Sequence, residues 1–267
     1  MKWGKGILVV LGALVITALG IDAADTLNGS KGTLLSQVIS SGNSVCPSGM
    51  VEVKNMPTIS CVDAYEASAG KKCGAQDPGQ VMATQQNIES RECVAESKVG
   101  ALPWRFVTRD QAMQLCARDG KRLPTSAEWY ALGLGMANVE NSCNVSSKVI
   151  GKTGNSAECN SPDGVYDLVG NVWEWVSDDV IDGNYNGQEM PDTGYVSQVD
   201  SSGMAVLVSG EAQELFGKDY FWSRKDGAYG VIRGGYYDSG TDGGLYTVHA
   251  DTPPTTSGTG IGFRCVR

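Results

Sequence analysis

Eight cysteines, all beyond residue 45, constrain this chain more than any other feature: Cys46, Cys61, Cys73, Cys93, Cys116, Cys143, Cys159 and Cys265. None forms a CxxC pair, and the closest two are twelve residues apart. An even number at such spacings fits structural disulfides better than metal knuckles or a redox pair. Proximity in sequence suggests Cys46 with Cys61, Cys73 with Cys93 and Cys143 with Cys159, which would leave Cys116 for Cys265. Arithmetic alone leaves the connectivity open.

Disulfides require an oxidising compartment, and therefore an export signal. Lys2 and Lys5 precede an uncharged run from Gly6 to Ile21. That run lies between a signal-peptide core and a membrane span in length. Ala18-Leu19-Gly20 has the small residues of a cleavage site, whereas Asp22 and Asp25 suit the outer flank of an uncleaved anchor, the reading preferred here. A buried N-terminal helix is the third alternative. Residues 1–21 are thus expected to be a signal peptide or membrane anchor. Residues 22–45, rich in Gly, Ser, Asn and Asp around Leu34–Ile39, read as a stalk, and residues 46–267 as one domain without internal repeats.

Composition removes whole classes of function. A net charge of −9 argues against nucleic acid as a partner. A single histidine, His249, cannot build the multi-imidazole centres of zinc hydrolases or non-haem iron enzymes. Regular elements are sparse. Thr108-Arg109-Asp110-Gln111 has capping-box spacing ahead of Ala112, Leu115 and Cys116, with Gly120 as the stop, and Thr125-Ser126-Ala127-Glu128 opens a second helix through Trp129 and Leu132. Short strands are expected over Val231–Arg233, Leu245–Ala250 and Ile261–Val266, and a surface loop stapled by Cys73 and Cys93 over Lys71–Lys98.

Three motifs carry a family resemblance. Gly120-Lys121-Arg122-Leu123-Pro124-Thr125-Ser126-Ala127-Glu128-Trp129 resembles the "GKRLPTEAEWE" junction of the sulfatase-modifying-factor family, which contains the formylglycine-generating enzyme. Gly164–Trp175, reading GVYDLVGNVWEW, resembles its "GLYDMVGNVWEW", and Arg233-Gly234-Gly235 with Gly262-Phe263-Arg264-Cys265 resembles its closing "RGG … GFRC". The resemblance spans roughly Met50 to the C-terminus in the family's order. It implies a C-type-lectin-like α+β fold, loop-rich and disulfide-bonded, and a Cys116–Cys265 bridge. It also implies a structural Ca²⁺ held by Asp167, Glu174 and the carbonyls of Gly170 and Val172, since hard oxygens suit calcium.

Function departs from the enzymes of that family. Their oxidase activity uses copper(I) on two thiolates shortly after "RGG", and soft thiolate is what copper(I) requires. Here Asp238 and Gly243 stand at those positions, so neither copper nor catalysis is expected. The chain is more similar to another branch, the variable proteins of diversity-generating retroelements, in which adenine-directed mutagenesis turns Asn codons into Tyr, Asp, Ser, His or Thr between "RGG" and "GFRC". From Arg233 to Arg267 there is no Asn, Lys or Glu, although Asn occurs twelve times before it. The resemblance implies a variable segment at 236–260 with ligand-binding residues Tyr236, Tyr237, Asp238, Ser239, Asp242, Tyr246, His249, Asp251 and Thr252. Tyr beside Asp, Ser and Thr is a paratope composition. The expected partner is a protein or cell-surface ligand met outside the cytoplasm. The alternatives are a formylglycine-generating oxidase and a non-variable adhesin or glycan-binding module.

Overall fold

A computed structural model describes residues 45–136 and 139–267. The expected anchor and stalk lie outside the described residues, apart from Val45. Within the described residues, no helix is long and apolar enough to cross a membrane.

The strands are β1 (Met50–Glu52), β2 (Cys61–Asp63), β3 (Ala67–Ala69), β4 (Ala95–Ser97), β5 (Trp173–Ile181), β6 (Asn184–Tyr185), β7 (Gln188–Glu189), β8 (Gly194–Val199), β9 (Ala205–Ser209), β10 (Tyr220–Ser223), β11 (Ala228–Arg233), β12 (Val248–Thr252) and β13 (Ile261–Phe263). The helices are α1 (Val81–Glu89), α2 (Arg109–Ala117), α3 (Ser126–Gly133) and the short α4 (Val139–Ser142). One mixed sheet runs β7-β6-β5-β11-β12-β10-β8-β9, with β13 joining β5 in parallel. The strand expected over Leu245–Ala250 begins only at Val248, and the one expected over Ile261–Val266 ends at Phe263, after which Val266 bridges to Val62 and Arg122.

The sheet buries a different apolar set on each face. On one, Val176, Val231, Val248, Ala250 and Phe221 pack under Trp129 and Leu132 of α3. On the other, Trp173, Trp175, Ile232 and Phe263 meet Ala112, Leu115 and Cys116 of α2. This is the layered α+β arrangement in which each amphipathic element hides one face. Both helices start with the expected capping boxes, Thr108 with Gln111 and Thr125 with Glu128. The disulfides pair Cys46–Cys61, Cys73–Cys93, Cys116–Cys265 and Cys143–Cys159.

The segment Lys71–Lys98 is stapled by Cys73–Cys93 as expected, but it is not simply a loop, because it contains α1. This helix has no apolar stripe for sequence reading to find. Thr84 and Asn87 face inward instead. The Thr84 hydroxyl donates to the Arg105 carbonyl and accepts from Trp104 Nε1, and Asn87 bonds both backbone groups of Ala75. Arg118 then donates to the carbonyls of Ile88, Ser90 and Cys93, where the helix leaves acceptors without intrahelical partners.

Candidate functional site

The three sequence motifs meet at one buried carboxylate. Glu174, on β5, accepts from Trp129 Nε1 of α3 at 2.7 Å and from Arg264 Nε and Nη2 at 2.6–2.9 Å. Both partners of this ion pair are fully buried. Arg264 also donates to the carbonyls of Asp63 and Tyr166. Close by, Asn171, held at positive φ, donates to Glu66, and Glu66 accepts from the Val172 amide. Burial, with Asp167 and Glu174 nearby, pushes the Glu66 carboxyl well above its usual range.

The two carboxylates expected for calcium have partners inside the chain. Glu174 already has Arg264 as its cation, and both its oxygens are committed. Asp167 spends Oδ2 on the Gly154 amide at 2.5 Å, and burial raises its carboxyl to about 6. Asp167 and Glu174, expected as calcium ligands, are thus each engaged by donors of this chain. Among the described residues no group of three or more His, Cys, Asp or Glu is arranged to hold a metal.

The same framework positions the segment that follows β11. Gly170 donates to the Gly234 carbonyl, and Tyr237 donates to the Asn171 carbonyl. Gly234 sits at φ +92°, where a Cβ would fall 2.2 Å from the Leu168 carbonyl oxygen, so the turn requires glycine. Arg233, fully buried, donates to Ser126 Oγ and to the carbonyls of Leu245 and Gly203, which fixes the chain just before β12. Asp219 accepts from the Tyr246 amide at 2.7 Å.

Asp219 makes this anchor sensitive to pH. Burial raises its carboxyl to about 7, against the lowering effects of the Tyr246 and Thr247 amides and Arg233. The folded state thus holds the proton more tightly than the unfolded chain. The associated stability is complete below the unfolded value of 3.8 and is lost as pH rises through about 7. Asp219→Asn is expected to flatten this part of the stability-versus-pH curve between those limits. Urea denaturation at a series of pH values checks it.

The pleat sorts the nine expected contact residues. On β12, His249 and Asp251 are half-exposed, while Val248, Ala250 and Thr252 are turned inward. Thr252 therefore leaves the candidate surface. Tyr246 is half-exposed like His249 and Asp251 and packs one side against Tyr130 and Phe216 at the edge of the α3 core. Ser239 closes the turn by accepting from the Tyr236 amide. Tyr236, Tyr237, Asp238 and Asp242 remain at the surface before β12, and the Tyr237 hydroxyl lies 3.3 Å from Thr259 Oγ1.

Beside them lies a group that sequence reading did not single out. Trp222 stacks on His249 with centroids 3.9 Å apart and planes at 5°. Trp173 meets His249 edge-on at 5.0 Å, Tyr220 lies 4.7 Å from Trp222, and Tyr195 lies 4.9 Å from Tyr220. His249 Nδ1 lies 3.0 Å from Asp251 Oδ1. Trp222 and His249 are register partners on parallel strands β10 and β12. That pairing across separate parts of the chain is the missing signal.

The description "Sulfatase-modifying factor enzyme 1-like domain" matches residues 51–267. The chain belongs to this family. Membership agrees with the three motifs and with the lectin-like α+β fold that they imply. Among solved structures, the Major Tropism Determinant I1 variant is similar at 15% identity and a TM-score of 0.44, covering 83% of this chain and 53% of its own. The chain thus spans about half the length of that relative. Treponema denticola variable protein 1 is similar at 13% identity and a TM-score of 0.43, covering 84% and 92%. PvdO from Pseudomonas aeruginosa is similar at 16% identity and a TM-score of 0.41, covering 82% and 89%. A search of curated proteins finds no match. Four disulfides fit an oxidising environment for this family member.

Proposed function

We propose that this protein is a non-catalytic ligand-binding protein that works outside the cytoplasm, held at a membrane by its N-terminal segment, with contact residues diversified by a retroelement. The observation that carries the reading is the split within residues 236–251. Tyr236, Tyr237, Asp238, Asp242, Tyr246, His249 and Asp251 reach the surface, while Gly243, Gly244, Val248 and Ala250 between them are buried in the scaffold. A rigid frame displaying exchangeable side chains lets contacts change while the core stays constant. The cysteine inventory supports the non-catalytic part. All eight cysteines are in disulfides, so the copper(I) chemistry of the family's oxidases has no thiolate to use.

Sequencing the 3′ end of the gene in sister cells, with its flanking DNA, tests the reading. The expected result is substitution concentrated at codons 236, 237, 238, 242, 249 and 251, a neighbouring template copy and a reverse transcriptase gene. Codons 243, 244, 248 and 250 are expected to stay constant, since a Cβ on Gly244 would fall 2.0 Å from Asp219 and Val248 and Ala250 are buried. An invariant 3′ end without a template would instead make this a fixed adhesin.

A further inference from the structure

We propose that the cavity between the loop from Cys143 to Cys159 and the segment leading into β5 binds a primary ammonium group. The inference goes beyond the diversified-receptor reading, because the site lies in the part of the chain expected to be constant. It stands whether or not residues 236–251 vary. The cavity has a volume of about 360 Å³, and Asn144, Lys152, Asp167 and Asn171 are among its lining residues. Its first support is a buried acceptor without a donor. Asn144 Oδ1 is buried and has no hydrogen-bond partner among the described residues. The amide does not turn over to offer its nitrogen instead, because Nδ2 already donates to the Val149 carbonyl and to Asn171 Oδ1, both at 3.1 Å. A buried polar atom in that state calls for a partner from outside the chain.

The second support is a buried carboxylate without a bonded cation. Asp167 is 2% exposed and is held at φ +55°, a left-handed conformation that persists only where the surroundings fix it. Its Oδ2 accepts from the Gly154 amide, while Oδ1 takes no hydrogen bond from the described residues. Arg264 spends its donors on Glu174 and on the carbonyls of Asp63 and Tyr166. Lys152 is exposed, and its ammonium makes no ion pair or hydrogen bond with the described residues, so the chain's own lysine does not fill the site. Both free groups are acceptors, which means that the ligand must present donors. An ammonium has three donors and no acceptor, and it carries the charge that a buried carboxylate needs. The walls are set before a ligand arrives, since the Cys143–Cys159 bridge closes the loop and Gly151 donates to Asn171 Oδ1. The cavity also adjoins the display turn: Tyr237 donates to the Asn171 carbonyl, and Lys148 to the Tyr237 carbonyl.

The test is a calorimetric titration of the full chain with Nα-acetyl-lysine amide and with ethanolamine, which share the ammonium, beside Nα-acetyl-norleucine amide, which lacks it, and calcium chloride. The ammonium compounds are expected to bind and the norleucine compound not to. Binding of the lysine compound alone assigns the site to a side chain of another protein, and binding of ethanolamine alone assigns it to a small free amine. Asp167→Asn keeps an oxygen for the Gly154 amide but loses the charge, and is expected to weaken binding about tenfold or more. Asp163→Asn, exposed and outside the cavity lining, is expected to change it by less than about twofold. Lys152→Glu serves as a second variant if Asp167→Asn does not fold, and is expected to strengthen binding about threefold by reversing an exposed charge on the lining. No heat from either ammonium compound, equal binding of the norleucine compound, or an unchanged affinity in Asp167→Asn overturns the inference. Calcium binding without ammonium binding does the same, and gives the cavity to a metal ion. An invariant 3′ end would remove the diversified reading and leave this site standing, whereas sister-copy variation without ammonium binding would do the reverse.

Discussion

Arg264→Met is expected to cost about 3–5 kcal/mol of folding stability, because it leaves Glu174 buried without its cation. Methionine keeps much of the volume but none of the five donors. The affected region is more acidic than a simple pair, since Glu66 and Asp167 sit near enough for their charges to be felt at Arg264. Deleting the guanidinium therefore exposes three carboxylates to one another in a dry interior. The deficit has a pH signature. Without Arg264 the native state favours protonated carboxyls even more strongly, so the variant's stability falls as pH rises and recovers as pH is lowered toward about 5. A double-mutant cycle with Glu174→Gln separates lost pairing from general damage. The double variant is expected to lose clearly less than the sum of the two single losses, because no unpaired charge remains. Additive losses in urea denaturation would show that the pair is not the element that locks the three motifs together.

That lock also explains which parts of the fold and site were legible in the sequence. Trp129, Glu174 and Arg264 each sit in a short contiguous motif, so the family resemblance and the layered fold could be read directly. Capping boxes at Thr108 and Thr125 are local chemistry, complete within four residues, and both helices appear where they start. Helix α1 escaped because its stability comes from Thr84 and Asn87 bonding distant backbone rather than from an apolar period. The partner of Glu174 was hidden for a related reason. Glu174 looked free along its own strand, and the arginine that occupies it comes from 90 residues later. The surface was half legible. Composition pointed to 236–260, but the alternation on β12 that turns Thr252 inward and the ring row contributed by β5, β8 and β10 depend on strand pairing that no local pattern encodes.

Removing the Cys116–Cys265 bridge by changing both residues to alanine is expected to be the most damaging of the four possible disulfide deletions. The bridge closes a separation of 149 residues, against 15, 20 and 16 for the others. In the chain-entropy account, a loop of that size restrains the unfolded chain by about 5 kcal/mol, and the short loops by about 3 kcal/mol. The native state adds to the difference. Cys116 and Cys265 are buried between α2 and the sheet, and Asp63 accepts from the Cys265 amide, so the bridge ties α2 to the end of the chain next to Arg264. Its loss would loosen the strand that delivers Arg264 to Glu174, and the binding face would lose the β5–β13 pairing behind it. Cys73→Ala with Cys93→Ala is the matched comparison, since it opens only the α1 segment. Urea midpoints should fall in the order wild type, Cys73/Cys93, then Cys116/Cys265. If the long-range deletion costs no more than the short one, the bridge's contribution is local packing rather than restraint of the unfolded chain. The closing motif would then depend on the Glu174–Arg264 pair alone.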